Sequence, residues 1–287
     1  MTSKNYYISP FLLNLILALS VWTSPALAGP IVLVAGSTLS NTGAYLSVVE
    51  LPEPNGEDGG LSKAPQEIAF FPGIASAGVN QSVAVGTDPV TGHKKAFVLA
   101  KLVQPGPLVY RIDSYNISTL TQESSITLPA GDSFENLAIS PDKARLLTIN
   151  QQTAQAYFLD IDYNNFSQST ITVKDLFYFG ASILSGTKMT FAPDGTALIL
   201  EGNVLLSGTI IQNSVATEIS PDMSTVTSWQ PVWGGPNMRG IATDIELYTA
   251  PGTQLALASI RAYDASQPTT TSQGGILTWL YGSGASY

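Results

Sequence analysis

Short apolar runs separated by turn residues recur along this chain, and they indicate strands rather than helices. Within residues 137–173 the runs are Leu137–Ser140, Leu146–Asn150, Ala156–Asp160 and Thr170–Val173. β-branched and aromatic residues are frequent in such runs, and proline lies at strand ends, where no ladder hydrogen bond is lost. Apart from the N-terminal segment, no stretch keeps a 3.6-residue apolar period. The pattern therefore predicts an all-β chain.

The strand pattern also repeats at a fixed interval. Pro89, Pro141 and Pro193 are spaced 52 residues apart, each at the turn between two apolar runs, and a weaker copy surrounds Pro251. The two neighbouring repeats predict strands at Ser82–Val85, Ala96–Ala100, Val109–Ile112, Ser125–Leu128, Met189–Phe191, Ala197–Leu200, Val215–Ile219 and Val226–Trp229. A four-stranded unit repeated about every 50 residues is typical of the blade of a β-propeller.

The two ends of the repeat region predict incomplete blades. Ile31–Ser37, Ala44–Leu51 and Gln66–Phe71 supply three strands of a first blade but no innermost one. In the last unit, Leu255–Ser259 and Ile276–Tyr281 follow the proline turn, and no fourth strand comes after them. The sequence thus predicts about five four-stranded blades with partial first and last blades. An incomplete six- or seven-bladed propeller is the alternative.

Residues 1–28 have the features of a cleavable signal peptide. Lys4 precedes the apolar stretch Phe11–Val21, and Ala26-Leu27-Ala28 forms a small-residue cleavage signal. The apolar stretch is too short for a membrane helix, and no later stretch qualifies. We therefore expect a single propeller domain at 29–287, a secreted or periplasmic location and no integral membrane segment after cleavage.

Composition narrows the classes of partner and of chemistry. The chain has 12 Lys and Arg against 21 Asp and Glu, a formal net charge of −9, which argues against nucleic acid as a partner. It has no cysteine and one histidine, His93, which the adjacent lysines place in a predicted solvated turn. The usual zinc ligand sets and a serine triad with its G-x-S-x-G elbow are therefore missing. No metal and no cofactor is predicted.

Two acidic segments have other interpretations than metal binding. Residues 160–164, Asp-Ile-Asp-Tyr-Asn, begin like a calcium loop, but Asn165 and Ile171 replace the glycine and glutamate that such loops need. This segment is predicted to be a turn at a strand end. The acidic stretch Pro52–Gly60 is predicted to be a solvated loop and only secondarily a metal-binding tip.

The proline turns carry a resemblance to a known family. Ser140-Pro141-Asp142 and Ala192-Pro193-Asp194-Gly195 are similar to the SPDG-type turn of WD40-like and YVTN-type propellers, and the resemblance covers most of residues 31–281. The chain departs from these families in lacking a repeated Trp-Asp dipeptide and a clear YVTN string. The resemblance implies a rigid binding scaffold whose loops vary. It also implies an alternative, a lactonase-like hydrolase acting on a sugar-acid lactone. A third possibility is a ring completed by a partner's strand.

In a propeller, the loops leading into the innermost strands meet at one mouth of the central channel. Here those loops are predicted at Ser76–Gln81, Gly131–Asn136, Gly180–Lys188 and Trp233–Gly240. The ligand-binding candidates within them are Asp132, Glu135, Asn136, Lys188, Trp233, Asn237 and Arg239. Opposite charges beside aromatic rings suit a small polar ligand or a protein or peptide, with Arg239 for a carboxylate and Trp233 as a stacking wall. No acid–base pair emerges from spacing, so no catalytic residue is assigned.

Overall fold

A computed structural model gives the architecture of the chain. It describes residues 16–18, 31–37, 44–51, 66–72, 78–102, 107–185, 187–206, 209–211, 215–229, 238–250, 253–264 and 273–280. Most of these residues lie in antiparallel strands, joined by turns and by one short 3-10 helix, Phe166–Gln168. The all-β prediction is confirmed. No helix among the described residues is long and apolar enough to cross a membrane.

The strands of the described residues form five successive blade-like sheets, each with its strands side by side in chain order. The first two sheets contain β1 (Ile16–Ala18), β2 (Ile31–Ser37), β3 (Ala44–Glu50) and β4 (Gln66–Pro72), then β5 (Gly78–Thr87), β6 (Lys94–Leu102), β7 (Val109–Asn116) and β8 (Thr121–Thr127). The third contains β9 (Phe134–Ile139), β10 (Arg145–Asn150), β11 (Gln155–Asp160) and β12 (Thr170–Asp175).

The remaining strands complete two more blades and an additional small sheet. In chain order they are β13 (Ser182–Ser185), β14 (Lys188–Phe191), β15 (Ala197–Glu201), β16 (Asn203–Leu206), β17 (Thr209–Ile211), β18 (Val215–Ile219), β19 (Val226–Trp229), β20 (Met238–Ala250), β21 (Thr253–Asp264) and β22 (Gln273–Leu280). The fourth blade is β14-β15-β18-β19, and the fifth is β20-β21-β22. β13, β16 and β17 form a separate three-stranded sheet that the sequence did not predict.

Apolar layers between consecutive sheets hold the blades together. Leu33 and Val48 of the first blade pack with Val98 of the second, and two further clusters join blade 2 to blade 3 and blade 3 to blade 4. The innermost strands β5, β9, β14 and β20 contact one another in that order. Sheets stacked face to face around their first strands are the arrangement of a β-propeller, so the predicted fold class is confirmed.

The first blade has a fourth strand where the sequence predicted three. Ile16–Ala18 pairs with Leu33–Ala35 at the edge of this sheet. This strand comes from inside the predicted signal peptide, residues 1–28. Removal of that peptide would leave β2, β3 and β4, the partial first blade that the sequence predicts.

The proline turns join strands as the repeat requires. In the Pro141 turn, Asp142 accepts hydrogen bonds from the Ser140 hydroxyl, at 2.5 Å, and from the Ala144 backbone N–H, at 3.0 Å. These bonds hold the pKa of Asp142 below its ordinary value. Asp222 accepts the same kinds of bond from Ser220 and Ser224, although this turn joins β18 to β19 instead of the first two strands of a blade. The motif therefore marks tight hairpins generally.

Candidate functional site

The candidate site lies at the end of the blades where the innermost strands begin, called here the entry end. Glu135 and Asn136 stand near the start of β9, and Lys188 is the first residue of β14. The Asn136 side-chain amide donates to the backbone carbonyl of Thr187 at 3.1 Å. This bond joins blades 3 and 4 next to Lys188, so three of the predicted residues come together at the boundary between these two blades.

A β-bulge shapes this part of β9. Leu147 pairs with Ala138 and Ile149 with Glu135, so two residues of β9 lie opposite Thr148 alone. Asn136 has a φ of 60°, a left-handed conformation that asparagine tolerates better than most residues. Its backbone carbonyl accepts a hydrogen bond from the Thr148 hydroxyl at 2.9 Å. Bulges redirect side chains and often lie beside functional sites.

Glu135 is a half-buried carboxylate with two favourable neighbours. Burial raises its pKa above the ordinary value, while the charge of Lys188 and a hydrogen bond from the Gln151 side chain act in the opposite direction. Gln151 lies in the turn after β10, and its backbone carbonyl accepts from the Ile183 N–H of β13. The carboxylate is therefore held in place by elements of blade 3 and by the additional sheet.

A buried hydroxyl beside this cluster has no hydrogen-bond partner among the described residues. Thr187 is 1% exposed, and its backbone carbonyl accepts a hydrogen bond from the Asn136 side chain. Its hydroxyl oxygen has no hydrogen-bond partner among the described residues. Asn150, also buried, has an unpartnered side-chain nitrogen in the described part of the chain. Buried polar atoms are usually hydrogen-bonded, and an unpartnered one is destabilising. The entry end thus retains unused hydrogen-bonding capacity.

The other predicted site residues have different outcomes. Asp132 lies in the loop just before β9, half-exposed. Arg239 belongs to β20, but its side chain lies outside the description, and Trp233 and Asn237 lie outside the described residues altogether. Within the described ranges, no group of three His, Asp or Glu residues is arranged to hold a metal ion.

Much of what was predicted as loop at the channel mouth is strand. β5 begins at Gly78 and β9 at Phe134, so parts of the predicted loops Ser76–Gln81 and Gly131–Asn136 belong to innermost strands. In Gly180–Lys188 the structure forms β13, and β20 begins at Met238 within Trp233–Gly240. The prediction placed these strand starts too late because backbone pairing with the neighbouring strand, rather than side-chain apolarity, extends the strands here.

Two interpretations of single motifs can be compared with the structure. Asp162 accepts hydrogen bonds from the backbone N–H groups of Asn164 and Asn165, at 2.9 and 3.0 Å, which confirms the calcium-like segment as a turn. His93 lies at the end of the predicted turn, beside the exposed Thr91 and Gly92, but it is less exposed than those two residues. Its Nδ1 lies 3.3 Å from the Asn116 side-chain nitrogen, and the residue is half-buried. The strand pairing of Lys95 with Asn116 brings this turn against β7.

Sequence reasoning missed a buried carboxylate near the entry end. Glu201, fully buried, accepts from the backbone N–H groups of Phe177 and Tyr178 at 3.1 and 3.2 Å, and from the Thr217 hydroxyl at 2.9 Å. Burial raises its pKa, and these three donors partly offset the effect. The carboxylate fixes the connection between β12 and β13. A glutamate that ends an apolar strand was the only sequence signal for it.

A second missed feature is an ion pair buried on β7. Arg111 Nε lies 2.7 Å from Asp113 Oδ1, and Asp113 is 3% exposed. Burial raises the pKa of Asp113 to about 6, although the nearby charge of Arg111 acts to lower it. The two residues stand two positions apart on one strand, hence on the same face. They face away from the entry-end cluster of blades 3 and 4.

Comparison with known proteins adds structural likeness only. No family model matches the chain, and no curated protein matches its sequence. A luciferin-regenerating enzyme is 13% identical, with a TM-score of 0.48 over 93% of this chain and 77% of that chain. The Cps50 (Swd1) propeller domain of Myceliophteria thermophila is 11% identical, with a TM-score of 0.49 over 83% and 71%. A Bacteroides uniformis protein assigned as a 6-phosphogluconolactonase is 14% identical, with a TM-score of 0.45 over 91% and 70%. The propeller fold itself rests on strand order and stacking.

Proposed function

We propose that this protein is an exported binding scaffold whose entry end, at the boundary of blades 3 and 4, holds a small ligand bearing both a cationic and an anionic group. The observation that carries the proposal is the meeting of Glu135, Asn136 and Lys188 across two blades. Free amino acids and short peptides, which carry an ammonium group and a carboxylate, have this chemistry. The protein's acidic charge favours ligands whose cationic group is the more exposed one.

Preorganisation is the physical reason for choosing this cluster. Glu135 is held by Gln151, and Asn136 is fixed by bonds to both Thr148 and Thr187. Because these groups are already ordered, ligand binding loses little side-chain entropy. Charge-assisted hydrogen bonds are also stronger than neutral ones, and partial burial reduces competition from water. Arg239 and Trp233 stay predictions for the carboxylate and stacking contacts.

Thermal-shift measurements on the exported protein test the proposal. The probes are free amino acids, dipeptides and sugar acids, because a ligand that binds only the folded state raises the melting temperature. Lys188→Met and Glu135→Gln should each weaken a stabilising probe by about tenfold, or about 1.4 kcal/mol. Lys143→Met and Glu50→Gln remove the same charges elsewhere and serve as matched controls. These controls should leave the affinity unchanged.

Two results would contradict the proposal. One is unchanged affinity in both Lys188→Met and Glu135→Gln, which would locate binding elsewhere on the molecule. The other is turnover, measured by incubating the protein with a sugar-acid lactone and titrating the acid released. Hydrolysis that depends on the same two residues would favour the lactonase-like alternative over a scaffold.

A further inference from the structure

The outer edge of blade 3 has an exposed apolar row that the proposed function does not use. Ile171 and Val173 are each 39% exposed on β12, and Phe177 and Phe179 just beyond it are 51% and 55% exposed. These residues alternate along the chain, interrupted by the exposed Asp175. Contiguous exposed apolar residues on a soluble domain usually mark an interaction surface.

The corresponding outer strand of blade 2 shows that this row is not a general property of the fold. On β8 the exposed residues are all polar, namely Thr121, Gln122, Glu123 and Thr127. Both β8 and β12 are the last strands of their sheets, and no described strand pairs with their outer edges. An edge strand is a template for pairing with another chain, and polar or charged side chains are the usual protection. β8 has such protection on its exposed positions, whereas β12 exposes isoleucine and valine.

We propose that β12 pairs antiparallel with β12 of a second copy of this chain, forming a two-fold dimer centred on Thr172. In an antiparallel two-fold pair, the central residue lies opposite its own copy. Centring on Thr172 puts Ile171 opposite the partner's Val173, and Val173 opposite the partner's Ile171. The apolar side chains of both copies then pack on one face as cross-strand pairs.

The pairing of apolar side chains selects this register over its neighbours. With Thr172 at the centre, Lys174 lies opposite the partner's Thr170, and Asp175 opposite the partner's Ser169, so no like charges meet. Centring on Val173 would set Asp175 against the partner's Ile171, and centring on Ile171 would set Val173 against the partner's Ser169. Among these three registers, only the one centred on Thr172 pairs both Ile171 and Val173 with an apolar side chain of the partner.

The net charge of −9 opposes association of two copies at long range. At physiological ionic strength, salt largely screens such repulsion between charges more than about 8–10 Å apart. Salt does not weaken apolar packing. The dimer should therefore become tighter, not weaker, as salt is raised. Attraction to a basic partner would show the opposite salt dependence.

Single-cysteine cross-linking tests the register directly, because the chain has no cysteine of its own. At the centre of an antiparallel pair the two Cα atoms are about 4.5–5.5 Å apart, which a disulfide spans. Thr172→Cys should therefore give a disulfide-linked dimer on mild oxidation. Thr170→Cys, on the same strand, should give no disulfide-linked dimer because the two copies of residue 170 would be roughly 13 Å apart. Equal cross-linking of both variants, or of neither, would overturn the proposal.

Sedimentation velocity of the exported chain at increasing protein and salt concentration tests the dimer without any cysteine. Val173→Lys should lower the association constant at least about tenfold, because it puts a charge opposite the partner's Ile171. Thr127→Lys, at an exposed position of β8, is the matched control and should leave association unchanged. Melting curves establish that both variants are folded. A wild-type protein that stays monomeric at all concentrations, or equal weakening by both variants, refutes the proposed interface.

Discussion

Replacing Gly86 by alanine would perturb the packing between blades 2 and 3 at a single point. A Cβ on Gly86 would lie 2.6 Å from the Tyr163 hydroxyl oxygen and 2.9 Å from Cδ1 of Ile139. Both distances are shorter than real Cβ contacts, so at least one neighbour must move. The Tyr163 hydroxyl donates to the Lys143 carbonyl at 2.6 Å, and displacement of the ring would break this bond.

The magnitude follows from these two effects. Overpacking of a well-packed interior costs about 1–3 kcal/mol. Loss of one intramolecular hydrogen bond adds about 1 kcal/mol. Gly86→Ala should therefore lower the free energy of unfolding by roughly 2–4 kcal/mol, and the melting temperature by roughly 4–16 °C for a domain of this size.

A double-mutant cycle measured by urea denaturation isolates the contact with the hydroxyl. Tyr163→Phe removes the oxygen that the new Cβ would meet, so Gly86→Ala should cost about 1 kcal/mol less in that background. Ile139 still obstructs the methyl group, so recovery should be partial. Tyr110→Phe removes a hydroxyl that contacts Ser133 instead, and it should show no coupling to Gly86→Ala. A loss below about 0.5 kcal/mol for Gly86→Ala, or equal coupling to both tyrosines, would refute the reasoning.

Three further outcomes are expected. Glu201→Ala should lower the free energy of unfolding by at least about 2 kcal/mol, because two backbone N–H groups and a hydroxyl lose their acceptor. Amide hydrogen exchange at Phe177 and Tyr178 should become faster. In the folded protein the pKa of Asp113 is raised to about 6. The residue therefore contributes on the order of 2–3 kcal/mol to the free energy of unfolding below about pH 3.8, and this contribution is lost as the pH rises through 6. The free energy of unfolding, measured by denaturation at pH 4 and pH 7, should therefore change less with pH in Asp113→Asn than in the wild type. An equal change in both proteins would exclude this residue as the cause. N-terminal sequencing of exported protein should begin at or near Gly29, and a product that begins at Met1 would remove the basis for export.

Local sequence patterns determined most strands and their order. Val215–Ile219 was predicted with the bounds of β18, and Ala156–Asp160 lacks only the first residue of β11. Alternation of side chains and the geometry of proline turns act within a few residues, so a single sequence is enough to reveal them. The spacing of those turns then predicted the propeller, because sheets of one size can bury their faces only against one another.

Contacts between blades were decided by the tertiary structure alone. Predicting that Glu135 and Lys188 share an entry end needed only the repeat, but the bulge at Asn136 and the support from Gln151 depend on how β9 pairs and stacks. Gly86 illustrates the limit most clearly, since the residue that it accommodates, Tyr163, belongs to a different blade. Side chains far apart in sequence meet only after the sheets have packed, and local periodicity has no information about which atoms then touch.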